Sequence, residues 1–305
     1  MEQYQFTVKE AGERLDKLIA VQLTDLSRSQ IQAMIKDGLV TVDGQPCKSG
    51  IKLRGGESIS ITLPQETQAE IVEAEDIPLT IVYEDEDIAV IDKPAGLVVH
   101  PGIGNSSGTL VNAILSQWDE ISDMDDPDGR NGIVHRLDKD TSGLLVIAKN
   151  TEALKNLMLQ FQERSVDKIY LALLERTPKT ASGRIEAPIG RDPRQRKQMA
   201  VVRDGKEAVT EFKLLDDAFR DDACLVEFKL LTGRTHQIRV HAAFIGCPVI
   251  GDRVYGFRKQ RFKMKRNFLH AAKLSFDHPR TGERLHFESD LPVALTQIMD
   301  KLRRI

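Results

Sequence analysis

Apolar residues recur at helical spacing twice near the start of the chain. Leu15, Leu18 and Ile19 predict a helix over Arg14 to Gln22, and Ile31, Met34 and Ile35 form the stripe of a second. Ser27 and Gln30 stand at capping-box spacing before that stripe, and Gly38 is a left-handed stop after it. The period then shortens. LVTV (39–42), an Asp43-Gly44 turn, an Arg54-Gly55-Gly56 turn and SISITL (58–63) predict strands joined by turns. Residues 1–63 therefore read as a compact αβ module.

The acidic, proline-marked stretch 64–78 has no such period and predicts a linker. Residues 79–305 read as one larger domain. LTIVYED and IAVIDKP predict paired strands around the acidic turn Glu84–Asp87. A helix is expected near Thr109–Trp118, an acidic loop to Gly132, and a buried strand at LLVIAK (144–149). Thr151 is the expected cap of a helix whose apolar face is Leu154, Leu157, Met158 and Phe161. IYLALLE, VTEFKLL and CLVEFKLL predict further strands. In THQIRVHAAFIG (235–246), Ile238, His241, Ala242 and Ile245 make a helical stripe that Gly246 ends, and Arg239 lies off it on the side of His236. Strands cluster rather than alternate with helices, so the expected class is α+β with a mostly antiparallel mixed sheet.

Composition adds little until it is read locally. Of 305 residues, 41% are hydrophobic and 29% charged, which suits a globular chain with a sizeable core. No apolar run approaches the ~20 residues of a membrane span. The N-terminus lacks a basic-then-apolar signal, so no membrane partner and a cytoplasmic location are expected. Cys47, Cys224 and Cys247 are odd in number and far apart, against a disulfide framework or a Cys-based zinc site. The formal charge of −3 hides an asymmetry. Residues 64–91 hold nine acids and no Lys or Arg, and without them the balance becomes +6. A second acidic patch runs from Asp119 to Asp128, and the densest basic run is FRKQRFKMKR (257–266). Local charge, not the total, makes an anion-binding face.

Two polar segments between apolar runs carry candidate chemistry. In GIVHRLDKDTSG (132–143), Asp138 suits a nucleophile or base, and Arg136 suits a phosphate or the space of an extracted base; a turn capped by Asp140 or Ser142 is the plainer alternative. In TGRTHQIRVH (232–241), His236 and His241 are five apart, whereas two-His zinc ligation on a helix uses an i, i+4 pair. No metal is expected, and His241, on the apolar stripe, reads as a hydrogen-bonded core residue. A buried Arg239 needs a carboxylate, for which Asp138 is the natural choice. Tyr170 reads as core packing or chemistry. Phe257 and Phe262 alternate with bases in a way that fits stacking plus phosphate contact, or a solvated loop. The Gly102/Gly104 pair lacks a dinucleotide fingerprint and a P-loop Lys, and no GxSxG is present.

These segments resemble the RluA-type pseudouridine synthases. The resemblance rests on DKPAGLVVHPG (92–102), GIVHRLDKDTSGLLVIAKN (132–150), TGRTHQIRVHAAFIGCPVIGDRVYG (232–256) and LHAAKLSFDHP (269–279), in that order, and covers residues 75–295. The N-terminal module is similar to the S-four-type RNA-binding domain. Both modules together look like the branch that modifies large-subunit ribosomal RNA.

The resemblance implies a pseudouridine-synthase-type sheet with flanking helices, and extrusion of a uridine from the RNA before its base is detached, turned and rejoined through carbon-5. It implies that Asp138 is the essential carboxylate, acting on base or ribose, and that Arg136 fills the gap left by the base. Arg239 would keep Asp138 ionised, and Tyr170 would stack on uracil and serve proton transfer. KIYLALLER departs from the family pattern in lacking a Gly after the strand. No cofactor is implied. RNA contact is expected of Arg14, Lys17, Ser27, Arg28 and Lys36 in the small module, and of His135, Arg234, His236, Arg258, Lys259, Arg261 and Lys263 in the large one. The expected partner is large-subunit ribosomal RNA, free or in an assembling particle, met by a monomer. A transfer-RNA-directed synthase and a non-catalytic RNA-binding protein are the rivals.

Overall fold

A computed structural model describes residues 3–9, 11–23, 26, 28–63, 72–102, 104–126, 129–195, 198–262 and 264–303. The chain forms two compact units, 1–71 and 72–305. Within the expected linker 64–78, the residues from Val72 onward belong to the larger unit. Val72 lies against that unit's core, Asn112 Nδ2 donates to Glu73 O, and Glu75 N donates to Asn112 O. Residues 64–71 lie outside the described set.

In the small unit the order is β1 (Gln3–Thr7), α1 (Leu15–Gln22), α2 (Arg28–Lys36), β2 (Val40–Val42), β3 (Gln45–Pro46) and β4 (Ser58–Thr62). The strands form an antiparallel sheet in the order β1-β4-β2-β3. The helical stripes do what their spacing predicts: Leu15, Ile19, Ile31, Met34 and Ile35 bury against Val40, Ile59 and Ile61 of the sheet. Strand β1, QYQFT, alternates polar and apolar residues and pairs with β4. The expected cap Ser27 lies outside the described residues.

The larger unit continues with β5 (Thr80–Glu84), β6 (Ile88–Lys93), α3 (Leu110–Gln117), β7 (Ser142–Ala148), α4 (Thr151–Glu163), β8 (Asp167–Leu174), β9 (Ser182–Glu186), β10 (Ile189–Arg191), β11 (Met199–Val201), β12 (Val209–Asp216), β13 (Cys224–Leu230), α5 (Gln237–Phe244), β14 (Leu269–Asp277), β15 (Arg284–Glu288) and α6 (Val293–Leu302). Among the described residues its main sheet has nine strands, ordered β5-β6-β7-β14-β8-β13-β12-β9, with β15 on the free part of β14. Only the β7–β14 contact is parallel. The fold is thus the α+β class expected, mostly antiparallel.

Both faces of the sheet centre are covered, which explains its unbroken apolar runs. Ala89, Ile91, Leu145 and Ile147 face one core with Leu110 and Ile114 of α3. Ile88, Val90, Leu144 and Val146 face another with Leu154 and Leu157 of α4. Truncating a fully buried residue such as Leu157 to Ala should cost about 2–5 kcal/mol. Helix α4 is capped by Asn150, whose side chain accepts from Ala153 N, not by Thr151. Thr151 is the first helical residue and its Oγ1 accepts from Asp125 N instead. Helix α3 has Thr109 and Asn112 in a reciprocal capping box.

Candidate active site

The polar segment 132–141 leaves the sheet just before β7 and is fastened from below. Lys93, fully buried at the end of β6, donates from Nζ to the carbonyls of Pro94, Leu97 and Lys139, and Gly96 N donates to Lys139 O. Burial pulls the Lys93 ammonium down to about 8. Thr141 N closes the turn onto Asp138 O. Gly143 follows with φ of 115°, and a Cβ there would collide with the backbone of Ala271 on β14. The close parallel approach of β14 to β7 therefore demands glycine, and it fixes where the bend carrying Asp138 begins.

Helix α5 supplies the partner. Arg239 Nη1 donates to Asp138 Oδ2 at 3.0 Å. The other edge of the same guanidinium is held by Asp252: Nε to Oδ2 at 2.6 Å and Nη2 to Oδ1 at 3.0 Å. Hydrogen bonds to two carboxylates outweigh burial and push Arg239 above its usual range, so it stays a cation. Burial of the Asp252 carboxyl is overcome by Arg239 and by the N–H groups of Val254 and Tyr255, which hold it below the usual carboxylate range. His236 precedes the helix with φ of 58°; its Nε2 lies 3.9 Å from Asp138 Oδ1 and its Nδ1 2.8 Å from the Tyr255 hydroxyl. Burial lowers His236 from its usual value despite Asp138.

Asp138 opens on a cavity of about 670 Å³, within the range of small-ligand sites. Tyr170 lies in its wall, 6% exposed, and burial first, then the charge of Asp138, raises its hydroxyl well above the usual value. Lysine and arginine dominate the charged lining: Arg130, Arg136, Arg164, Lys168, Arg234 and Arg239 against Asp138 alone. Arg136 is exposed and makes no hydrogen bond among the described residues. Lys168 sits over the Phe161 ring at 5.2 Å, and burial brings it down to about 8.

Of the residues expected at the site, Asp138, Arg136, Tyr170, Arg239, His135, Arg234 and His236 all line this one cavity. His135 differs from expectation in one respect. Its Nε2 accepts from Val146 N and its ring stacks on Phe161 at 4.7 Å, so it is committed to the fold, and burial lowers it to about 3. His241 is the core histidine expected, bonded to Thr210 Oγ1 and Ala187 O. Arg258, Lys259 and Arg261 are exposed but are not among the cavity's lining residues, and Arg261 donates to Asp221 O. Phe262, proposed for stacking, is buried in the core, and Phe257 lies under Arg176. Lys263 lies outside the described residues, as does Ser27.

In the small unit Lys17 and Lys36 are exposed. Arg14 and Arg28 both turn onto Asp16, a fully buried carboxylate that the sequence reading passed over. Arg14 donates to it from Nε and Nη2 at 3.0 Å each, Arg28 from Nε at 3.0 Å and Nη2 at 2.9 Å, and Gln32 from Nε2 at 2.8 Å. Also missed were Lys168, Arg130, Arg164 and Asp252. Lys168 has a signal: it alternates with Tyr170 on β8 and so shares its face. Asp252 has none short of the folded chain.

Among the described residues one group has metal-like spacing, Asp85, Asp87 and His278, with ligand atoms within 4.8 Å. Its valences are already engaged. His278 Nδ1 accepts from Arg280 N and Thr281 N, which leaves Nε2 to donate to Asp85, and Arg280 holds Asp87. No helix among the described residues is long and apolar enough to cross a membrane.

Comparison with known proteins agrees with this geometry. Residues 87–244 match the RNA pseudouridylate synthase family and residues 13–59 the S4 domain. The chain is 44% identical to the uncharacterized RNA pseudouridine synthase YlyB of Bacillus subtilis, over 100% of this chain and 99% of the relative. It is 45% identical to ribosomal large subunit pseudouridine synthase D of Pseudomonas aeruginosa, over 96% and 93%. In three dimensions it is similar to human RNA pseudouridylate synthase domain containing 1, with a TM-score of 0.59 and 29% identity over 72% of this chain and 86% of that one. A carboxylate clamped among cations, on this sheet and in a chain that also carries an S4 domain, thus has its explanation: the chain belongs to the RNA pseudouridine synthases, isomerases that convert uridine to pseudouridine in RNA.

Proposed function

We propose that this chain modifies uridines of large-subunit ribosomal RNA in the cytoplasm, with Asp138 as its essential carboxylate. The relative from Pseudomonas aeruginosa is named for that RNA and aligns over nearly the full length of both chains. The observation that carries the role of Asp138 is its bond to Arg239 at the wall of a cavity whose other charged lining residues are lysine and arginine.

The chemistry is an exchange within one nucleotide. The bond from N1 to the ribose breaks, a bond from C5 forms, C5 gives up a proton and N1 gains one. Atoms and electrons balance without a redox partner. As N1 departs, positive charge grows on the ribose, and a fixed carboxylate is a stabiliser already in place. Arg239 orients that carboxylate through its Nη1 hydrogen bond. The un-ionised ring of Tyr170 offers a face to uracil, and its hydroxyl relays the C5 proton, passing its own proton to solvent as it takes that one. Arg136, uncommitted at the mouth, takes the stacked position that the extruded base leaves. The surrounding cations hold the flanking phosphates.

Mapping pseudouridines in cells with and without the gene tests the substrate. Large-subunit sites should disappear and return with the wild-type gene, but not with Asp138→Asn, which should lower product at least 10³-fold while leaving RNA binding within about threefold. Loss confined to transfer RNA would overturn the substrate, and full complementation by Asp138→Asn would overturn the role of the carboxylate.

A further inference from the structure

Arg239 is held on two sides, and only one side faces the cavity. Asp252 has no accessible side-chain surface and does not line the cavity, so it cannot meet RNA. Yet it receives two of the guanidinium's hydrogen bonds, the shorter at 2.6 Å, whereas Asp138 receives one. A guanidinium is a rigid planar fork, and fixing one edge fixes the direction of every remaining N–H. With Nε and Nη2 taken, Nη1 is the donor left to point at Asp138.

The carboxylate that does this fixing is itself fixed. Asp252 Oδ1 accepts from Val254 N at 2.9 Å and Tyr255 N at 3.0 Å, and Gln260 Nε2 donates to Asp252 O. Gly251 before it has φ of 77°, and a Cβ there would strike the carbonyl of Arg266. The ring of Tyr255 lies beside the Arg239 guanidinium at 5.1 Å, and its hydroxyl bonds to His236. One tight turn, 251–256, therefore grips Arg239 from its edge and from its face.

We propose that Asp252 is a positioning residue for the isomerisation: by occupying the Nε/Nη2 edge of Arg239 it aims Nη1 at Asp138. The proposal rests on Asp138 being the reacting carboxylate. It separates two duties usually given to one ion pair. Arg239 supplies charge to Asp138, and Asp252 supplies direction to Arg239. A misdirection of about 1 Å in such a group costs on the order of 10²-fold in rate.

The test is steady-state kinetics on large-subunit ribosomal RNA extracted from cells lacking the gene, following tritium released from C5-labelled uridines. Asp252→Asn presents an amide N–H₂ to a donor edge, so the two-point grip is lost. Its kcat should fall about 10²-fold with KM within about threefold. Asp252→Glu keeps the charge one methylene further out and should recover about tenfold of that loss, which leaves kcat about tenfold below wild type. In an Arg239→Gln background, Asp252→Asn should lower kcat by less than about threefold more, because a residue that acts through Arg239 has nothing left to act on. Wild-type kcat in a folded Asp252→Asn protein would overturn the proposal, as would a full additional loss in the Arg239→Gln background. If Asp252→Asn does not fold, Asp252→Glu decides alone: about a tenfold loss in kcat at unchanged KM supports the proposal and wild-type kcat overturns it. Asp138→Asn is the separate control. If it stays active while Asp252→Asn is slow, the role of Asp138 fails and the aim given to Arg239 fails with it, whereas an inactive Asp138→Asn beside a wild-type Asp252→Asn overturns the positioning role alone.

Discussion

The two units build opposite clusters from the same two side-chain types. In the small unit one buried carboxylate, Asp16, lies between two guanidiniums, and Arg14 and Arg28 remain 41% and 48% exposed. In the large unit one buried guanidinium, Arg239, lies between two carboxylates, of which Asp252 is fully buried and Asp138 is 18% exposed. The buried centre of each cluster neutralises one partner and leaves one charge over. The small unit is left presenting a cation to solvent, which suits a phosphate. The large unit is left presenting an anion to a cavity, which suits chemistry at a carbon that becomes positive. A buried ion needs its partners in order to stay buried; which ion is put at the centre decides which charge the cluster has left to present.

The largest break in this symmetry should come from Asp16→Asn. If orientation is what the small cluster supplies, two guanidiniums released into water will bind RNA about tenfold more weakly, although the unit has gained a unit of positive charge. If charge alone matters, binding will tighten. The bound kcat should stay within about twofold of wild type, unlike the collapse expected for the same substitution at Asp138. Stability should also drop by about 2 kcal/mol as the shared acceptor is lost. Equilibrium RNA binding, kcat at saturating RNA and urea unfolding separate these outcomes.

Acid should distinguish the units next. Hydrogen bonds from Arg14, then Gln32 and Arg28, hold Asp16 far below the usual carboxylate range. Its contribution is present above the unfolded value near 3.9 and is lost only as pH falls from there toward the folded one. His135 in the large unit has the same sign in a higher pH window. Burial lowers it to about 3 against an unfolded value near 6.5, so across that window the unfolded chain binds a proton that the folded chain does not. Stability therefore falls as pH falls below about 6.5, by at most ~1.4 kcal/mol per pH unit for one proton. His100, His241 and His270 are lowered by burial as well and add to the slope. His135→Gln keeps an acceptor for Val146 N and should lose about 1–2 kcal/mol less than wild type between pH 6.5 and pH 5. An unchanged loss would mean that His135 is protonated in the folded chain.

What the sequence showed follows the same division between local and non-local causes. The helix carrying Arg239, the bend carrying Asp138 and the strand carrying Tyr170 were each legible, because a 3.6-residue stripe, a polar break between apolar runs and a short β-rich run are local patterns. The pairing of Asp138 with Arg239 followed from charge logic across 101 residues. Asp252 was not legible: nothing near it in the chain says that its partner lies 13 residues back on α5. Asp16 and Arg14 are two apart, yet Arg28 joins them only because α1 packs on α2. Phe262 alternates with bases as a stacking residue would, but its surroundings are apolar and it went to the core. Thr151 and Asn150 are both good caps, and one residue of register decided between them. Strands β9, β10, β11 and β15 are short and weakly patterned, and pairing rather than propensity defines them.

The smallest effect separates held charges from free ones. Arg28 is anchored at Asp16 through Nε and Nη2, whereas Arg258 and Lys259 stand exposed on the basic loop and the Arg261 guanidinium donates to Asp221 O, a backbone carbonyl. A phosphate contact releases counterions whether or not its cation is held, so each lost contact should lower the salt slope of binding by about 0.7–0.9. Affinity differs, because a held guanidinium has little freedom left to lose on binding. Arg28→Gln should therefore weaken binding more than any single loop substitution, at an equal change in slope. Replacing Arg258, Lys259 and Arg261 together by Gln should lower the slope by about 2, measured between 50 mM and 200 mM salt. An unchanged slope would place the loop away from the RNA. Equal affinity loss per charge at Arg28 and in the loop would show that Asp16 holds its arginines for the fold's sake alone, and the contrast between the two clusters would then be one of stability and not of recognition.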